Sequence, residues 1–228
     1  MPLRAIIFDF DGLILDTETP DLVAWQEIFA EHGFELDHAF WCQFVGRHGG
    51  MLDVVAHLEG LVGTVVDSEI ILSHRRTRCM EMIHSLGPRP GVESWLRQAQ
   101  AASILCGVAS SSSLMWVEGH LERLGLRHHF SGLRCRDHVA RTKPEPDVYL
   151  AAVECLRVPA DDAMAIEDSP HGVAAAKAAG LWCLAVPNEV TRPLDFSLAD
   201  MVVDSLEDIS IRDVLGRWSP SAARSAES

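Results

Sequence analysis

Arg4-Ala-Ile-Ile-Phe-Asp9-Phe-Asp11-Gly12 is the stretch that decides the fold. It is a short apolar run that ends in acids, and its apolar character is continuous rather than alternating. A strand that must be apolar on both faces belongs inside a parallel sheet covered on both sides. The same form recurs at residues 104–109, 163–166 and 182–186, with a shorter run at 201–203. Helical spacing fills the intervals. Leu114, Val117, Leu121 and Leu124 share a face, and Gly125 can stop that helix. Val148, Ala152 and Leu156 repeat the pattern after Pro144-Glu145-Pro146. Ser169 is placed to cap a further helix with Pro170 at its first position and Gly180 beyond its end. Strands alternating with helices imply an α/β fold with an open, Rossmann-like parallel sheet.

Residues 18–87 interrupt that alternation. Leu22, Trp25, Ile28 and Phe29 mark one helix ending near Gly33, and Leu52, Val55 and Leu58 a second. Ser68 is placed to cap a third that carries Leu72, Cys79, Ile83 and Leu86. The expected organisation is a core of residues 1–17 and 88–216 with a helical cap at 18–87 inserted after the first strand. Pro88, Pro90 and Gly91 mark the return, and the small, polar residues 217–228 form a flexible tail.

Composition narrows the function classes. The chain has 228 residues with 48% hydrophobic and 23% charged, which is globular rather than disordered. Its formal net charge of −14 offers no basic field for nucleic acid or an anionic membrane surface. No run approaches the length needed to span a bilayer, and the apolar run after Met-Pro-Leu-Arg is too short for a signal-peptide core. The expectation is a cytoplasmic protein whose six cysteines form no Cys-x-x-Cys pair and serve as reduced small hydrophobes. Lysine is nearly absent: Lys143 and Lys177 are the only two. A compact ammonium at 143, in a chain that otherwise uses arginine, suggests a role that a planar guanidinium cannot fill.

Ligands of open α/β sheets bind at the carboxyl ends of the strands. Asp9-Phe10-Asp11-Gly12 follows the first strand, Ser110-Ser111-Ser112-Ser113 the strand at 104–109, and Glu167-Asp168-Ser169 the strand at 163–166. Asp9, Asp11, Glu167 and Asp168 then converge, and four carboxylates repel unless a cation lies among them. Oxygen ligands suit a hard ion such as Mg2+. The serine hydroxyls and Lys143 suit an anion. A metal beside anion-binding groups suggests a phosphate. One carboxylate can then be a nucleophile, and a second, two residues on, an acid and base.

In this order the motifs resemble those of the haloacid dehalogenase superfamily, and within it the β-phosphoglucomutase-like and phosphoglycolate-phosphatase-like enzymes with a helical cap. Asp9-Phe10-Asp11-Gly12 with Asp16-Thr17-Glu18 resembles the first motif and the hinge into the cap. Val108-Ala109-Ser110 resembles the second, and Lys143-Pro144-Glu145-Pro146-Asp147 the third. Glu167-Asp168-Ser169 with Gly172, Ala175 and Gly180 resembles the fourth. The resemblance implies Asp9 as nucleophile, Asp11 as general acid and base, and Ser110 and Lys143 as phosphate ligands, with Ser111 and Ser112 beside them. It implies Mg2+ held by the Asp9 and Asp168 carboxylates and the Asp11 carbonyl, with Glu167 close by. The cap would close over the substrate and exclude water.

Asp11 argues against a dehalogenase, since those relatives lack the second aspartate and the metal. No lysine precedes 143, so a Schiff base on a cap lysine is excluded. Asp21 stands where the mutases of the family place a histidine, which favours hydrolysis over phosphomutase activity as the alternative. Arg47, beside His48 and before Gly49-Gly50, resembles the cap loop that points at the site, whereas Arg75, Arg76 and Arg78 read as a solvated cluster. A phosphate-storing receiver module is disfavoured by the position of Asp9 at the end of the first strand. A non-catalytic binding protein is disfavoured because every required side chain is present. The expected partner is a small phosphorylated metabolite, and the expected state a monomer.

Overall fold

The computed structural model describes residues 3–41 and 51–218. Among them the strands are β1 (Ala5–Phe8), β2 (Leu105–Ala109), β3 (Gly132–Arg134), β4 (Ala163–Glu167), β5 (Trp182–Ala185) and β6 (Met201–Val202). The sheet order is β3-β2-β1-β4-β5-β6, and every pairing is parallel. Chain order reverses at β1, so the crevice beyond the ends of β1 and β4 is the switch point at which such sheets take ligands.

The continuous apolar runs follow from burial on both faces. Ile6 and Phe8 join Val108, Met164, Ile166 and Leu184 in one core, against helices α5 (Val92–Ala101), α6 (Leu114–Arg123) and α9 (Ile211–Leu215). Ala5 and Ile7 join Ala109, Ala165 and Cys183 in the other, against α7 (Asp147–Leu156) and α8 (Pro170–Ala178). Alanines on that second face let α7 and α8 approach the sheet closely, which leaves little room for larger side chains.

Between β1 and α5 the described residues contain helices and no strand: α1 (Glu18–Glu31), α2 (His38–Trp41), α3 (Met51–Val62) and α4 (Ser68–Ser85). Leu22, Trp25, Phe29, Trp41, Val54, Leu58 and Ile71 of these helices form a third apolar cluster together with Val190, while Ala24, Cys79 and Ile83 join the first core. No described helix is long and apolar enough to cross a membrane.

Several local expectations change. The three-residue edge strand β3 and helices α5 and α9 go beyond the sequence expectation. Leu52 is 66% exposed, and Val54 takes the buried place beside Val55 and Leu58. Asp67, not Ser68, caps α4, its Oδ1 accepting from the N–H groups of Glu69 at 3.0 Å and Ile70 at 3.1 Å. Trp218, expected in the tail, packs against the sheet core, while residues 219–228 lie outside the described residues. Ser169 does cap α8, accepting from Gly172 N–H at 3.2 Å, with Pro170 in the first turn. Five cysteines are free thiols, and Cys42 lies outside the described residues.

Candidate active site

The first strand delivers Asp9 to the switch point, where its N–H donates to Ile166 O at 2.9 Å and ties the loop to β4. Lys143, buried, donates to Asp9 Oδ1 and to Glu167 Oε1, the latter at 2.6 Å. Tyr149 Oη donates to the same Glu167 oxygen at 2.5 Å. The second oxygen, Glu167 Oε2, accepts from Asp168 N–H at 3.2 Å and Ser169 Oγ at 3.3 Å. Glu167 is therefore fully engaged by protein donors, as a buried carboxylate must be. Space for it comes from Gly172: a Cβ there would fall 2.0 Å from the Glu167 carboxylate.

Asp168 is held from the far side. Asn188 Nδ2 donates to its Oδ2 at 2.7 Å, and the Asn188 side-chain oxygen accepts from the N–H groups of Val190 and Thr191 at 2.9 Å. Gly12, at φ +77°, turns the chain beneath this pair. A Cβ there would sit 2.1 Å from Asp168 Oδ2.

Asp9, Glu167 and Asp168 each offer an oxygen within 4.8 Å of the others, and all three are buried. The Lys143 ammonium pairs with two of these three carboxylates, and the Arg89 guanidinium acts on the third, Asp168. Burial pushes Asp9 up to about 7 against the pull of Lys143, and burial together with Asp9 and Glu167 holds Asp168 well above the carboxylate range. Burial works against the Lys143 ammonium, but Asp9 and Glu167 outweigh it and its pKa is raised. The cluster is short of positive charge, and its oxygen donors suit a hard divalent cation.

Asp11 is separate from that trio. Ser112 Oγ donates to its Oδ2 at 2.6 Å, Ser110 Oγ to the same oxygen at 3.3 Å, and Trp116 Nε1 to its Oδ1 at 2.8 Å. Ser110 is fully buried, its oxygen accepting from Ser112 N–H at 2.9 Å, whereas Ser111 Oγ is buried without a partner.

These groups floor a cavity of about 360 Å3. Asp9, Asp11, Ser111, Ser112, Lys143 and Asp168 line the sheet side, and Glu18, Asp21, Trp41, Arg75, Arg76 and Met80 the helical side. Arg75 overturns the reading of a solvated cluster: Nε donates to Asp21 Oδ1 at 2.5 Å and the pair faces the cavity. Arg78 does lie outward, donating to Glu27 at 2.7 Å. Burial, with the Asp21 carboxylate next, pushes Glu18 up to about 8. Arg47 and His48 lie outside the described residues.

Sequence reading missed Tyr149, Asn188 and Trp116. Asn188 lies just beyond the carboxyl end of β5, the same kind of position that marks the acids and serines of the other strands, so that signal was readable. Tyr149, the only tyrosine of the chain, and Trp116 lie within helical patterns that gave no separate signal.

Residues 6–186 match the model of the haloacid dehalogenase-like hydrolase family. YhcW of Bacillus subtilis (strain 168) is 40% identical over 209 residues, 92% of this chain and 94% of that protein. Fructose-1-phosphate phosphatase YqaB of Escherichia coli (strain K12) is 30% identical over 181 residues, covering 77% of this chain and 92% of YqaB. The crystal structure of a CbbY mutant from Rhodobacter sphaeroides with xylulose-(1,5)bisphosphate superposes with a TM-score of 0.72 at 29% identity, covering 92% of this chain and 98% of CbbY. With the acids, hydroxyls and lysine of all four motifs gathered at one switch point, the chain belongs to the haloacid dehalogenase-like hydrolases, in their phosphatase branch.

Proposed function

We propose that this chain is a Mg2+-dependent phosphatase of small phosphorylated sugars that works through a phosphoaspartyl intermediate on Asp9. The observation that carries the reading is the convergence of Asp9, Lys143 and Asp168 on the floor of one cavity, with Asp11 facing the same space. The sugar-phosphate class rests on YqaB and on the bisphosphate bound to CbbY.

An Asp9 carboxylate oxygen attacks phosphorus, and the bond from phosphorus to the sugar oxygen breaks. Asp11 gives its proton to that oxygen as it leaves. Water then attacks the acyl phosphate. Asp11 takes the proton of the water, the bond from phosphorus to the Asp9 oxygen breaks, and inorganic phosphate departs. Lys143 and the Ser111 hydroxyl stabilise the negative oxygens of the transferring group. The Asp9 and Asp168 carboxylates with the Asp11 carbonyl would hold Mg2+, which supplies further charge neutralisation when bound. Glu167, its oxygens taken by Lys143, Tyr149, Ser169 and the Asp168 N–H, acts by holding Lys143 rather than the ion. Helices α1–α4 serve as the cap that shuts the cavity and chooses the sugar, and Arg47 remains a candidate contact on that side.

A screen of phosphorylated metabolites with Mg2+, measuring the inorganic phosphate released, tests this. Wild type should release phosphate from hexose or pentose phosphates, and Asp9→Asn should release none. Isomerisation of β-glucose 1-phosphate without free phosphate would replace the reading by a phosphomutase.

A further inference from the structure

Asp11 is bound on both oxygens by side-chain donors, and one of these is not a hydroxyl. Trp116 Nε1 donates to Oδ1 at 2.8 Å from the first turn of α6. The indole does not hang free. Its ring packs edge-on to His120, with centroids 4.3 Å apart and planes at 69°. His120 is buried, and Arg123 Nε donates to its Nδ1 at 3.3 Å. The same guanidinium donates to Leu86 O at 2.9 Å and His84 O at 3.3 Å, at the end of α4 where the helical insertion rejoins the sheet. Ser113 caps this helix through Trp116 N–H at 3.3 Å, so main chain and side chain of Trp116 are both fixed.

We infer that Trp116 is a positioning residue for Asp11. Its indole N–H sets the plane of the carboxyl group that handles the proton of the leaving oxygen, and His120 and Arg123 hold the indole in place. A hydroxyl such as Ser112 can rotate about its C–O bond, whereas an indole N–H has one direction. The pairing therefore fixes orientation in a way that the serines do not. The inference rests on the hydrolytic reading above, with Asp11 as acid.

Leaving-group dependence tests it. A sugar alkoxide must be protonated as it departs, whereas a dinitrophenolate is stable without a proton and makes little demand on the acid. Values of kcat/KM report phosphoryl transfer to Asp9, so the comparison is made on them for fructose 1-phosphate and 2,4-dinitrophenyl phosphate. Trp116→Phe keeps the aromatic packing and removes the N–H. It should lower kcat/KM for the sugar phosphate about tenfold while leaving the aryl phosphate within about twofold. Asp11→Asn should show the same selectivity, more strongly. An equal loss on both substrates, or no loss, in Trp116→Phe while Asp11→Asn is selective would overturn the role of Trp116. Lack of selectivity in Asp11→Asn itself would overturn the acid role of Asp11 and the inference with it, whereas the hydrolytic reading fails only if wild type releases no phosphate from either substrate. Should Trp116→Phe not fold, His120→Leu, which removes the support behind the indole, must show a loss confined to the sugar phosphate, and an even loss there refutes the inference.

Discussion

The chain contains two lysines in ion pairs of similar length, and comparing them tests whether the buried cluster is as charge-starved as its geometry implies. Lys143 Nζ lies 2.6 Å from Glu167 Oε1 and also pairs with Asp9, with the lysine side chain 5% exposed and the Glu167 side chain fully buried. Lys177 Nζ lies 2.6 Å from Asp200 Oδ2, but those side chains are 30% and 28% exposed. At equal distance, the two sites differ in burial and in the second carboxylate that Lys143 holds. Removing one partner of a buried pair strands the other charge and costs about 3–5 kcal/mol, whereas a solvent-screened pair contributes below about 1 kcal/mol. With an m-value of ~3 kcal/mol/M, Lys143→Met should move the urea midpoint down by about 1–1.7 M, and Lys177→Met by less than about 0.3 M. Both are measured with chelator present, so that no divalent ion substitutes for the ammonium. In the presence of Mg2+, Lys143→Met should also lose about 100-fold or more in kcat, since a charge aimed at the transferring group is gone, while Lys177→Met keeps its activity. Equal midpoint shifts in the two variants would refute the account of Lys143 as the buried cation that offsets Asp9 and Glu167.

Other predictions concern the groups around that cluster. Asn188→Ala removes the donor that fixes Asp168 Oδ2 and should weaken Mg2+ binding about 10-fold or more by titration calorimetry; unchanged affinity would show that Asp168 needs no such support. Glu18 has its folded pKa raised to about 8 from 4.5, so the folded chain keeps a proton that the unfolded chain loses. Its contribution is therefore full below about pH 4.5 and is lost as pH rises through about 8. Glu18→Gln should flatten the fall in urea midpoint between about pH 5 and about pH 8.5 and leave the variant the more stable at the upper end; a parallel fall in both proteins would rule this out.

The parallel sheet was legible because a strand buried on both faces needs an unbroken apolar run, and β1, β2, β4 and β5 each have one. β3 was not, because Gly-Leu-Arg is three residues long and pairs only with β2, so it has neither length nor two-sided burial. Helix α5 buries Val92, Trp95, Leu96 and Ala99, a readable helical spacing that the Pro-Gly boundary before it masked. The acids at the site were legible because each lies at the carboxyl end of a strand or within three residues beyond it. Tyr149 and Trp116 were not, because each reaches the site from within a helix, by a tertiary contact that no local spacing encodes. The arginines of α4 were misread for a related reason. A helix presents 75, 76 and 78 to different surroundings, and only the packed structure says that Arg75 turns inward onto Asp21.

Arg89 N–H donates to Ile14 O at 2.8 Å, and the Arg89 guanidinium reaches Gly12 O, Val186 O at 3.2 Å and Pro187 O at 3.1 Å. The outgoing and returning segments of the helical insertion are thus stitched together beside the Asp9–Gly12 loop, and Arg123 ties the end of α4 to α6 as well. The described residues from α1 to α4 contribute no strand to the sheet and bury most of their apolar side chains in a cluster apart from its two cores. No residue of that excursion takes part in the pairing of β1 with β2 or β4. Such an architecture lets one hydrolytic platform be re-tailored to new metabolites by exchanging a module, with the chemistry inherited intact.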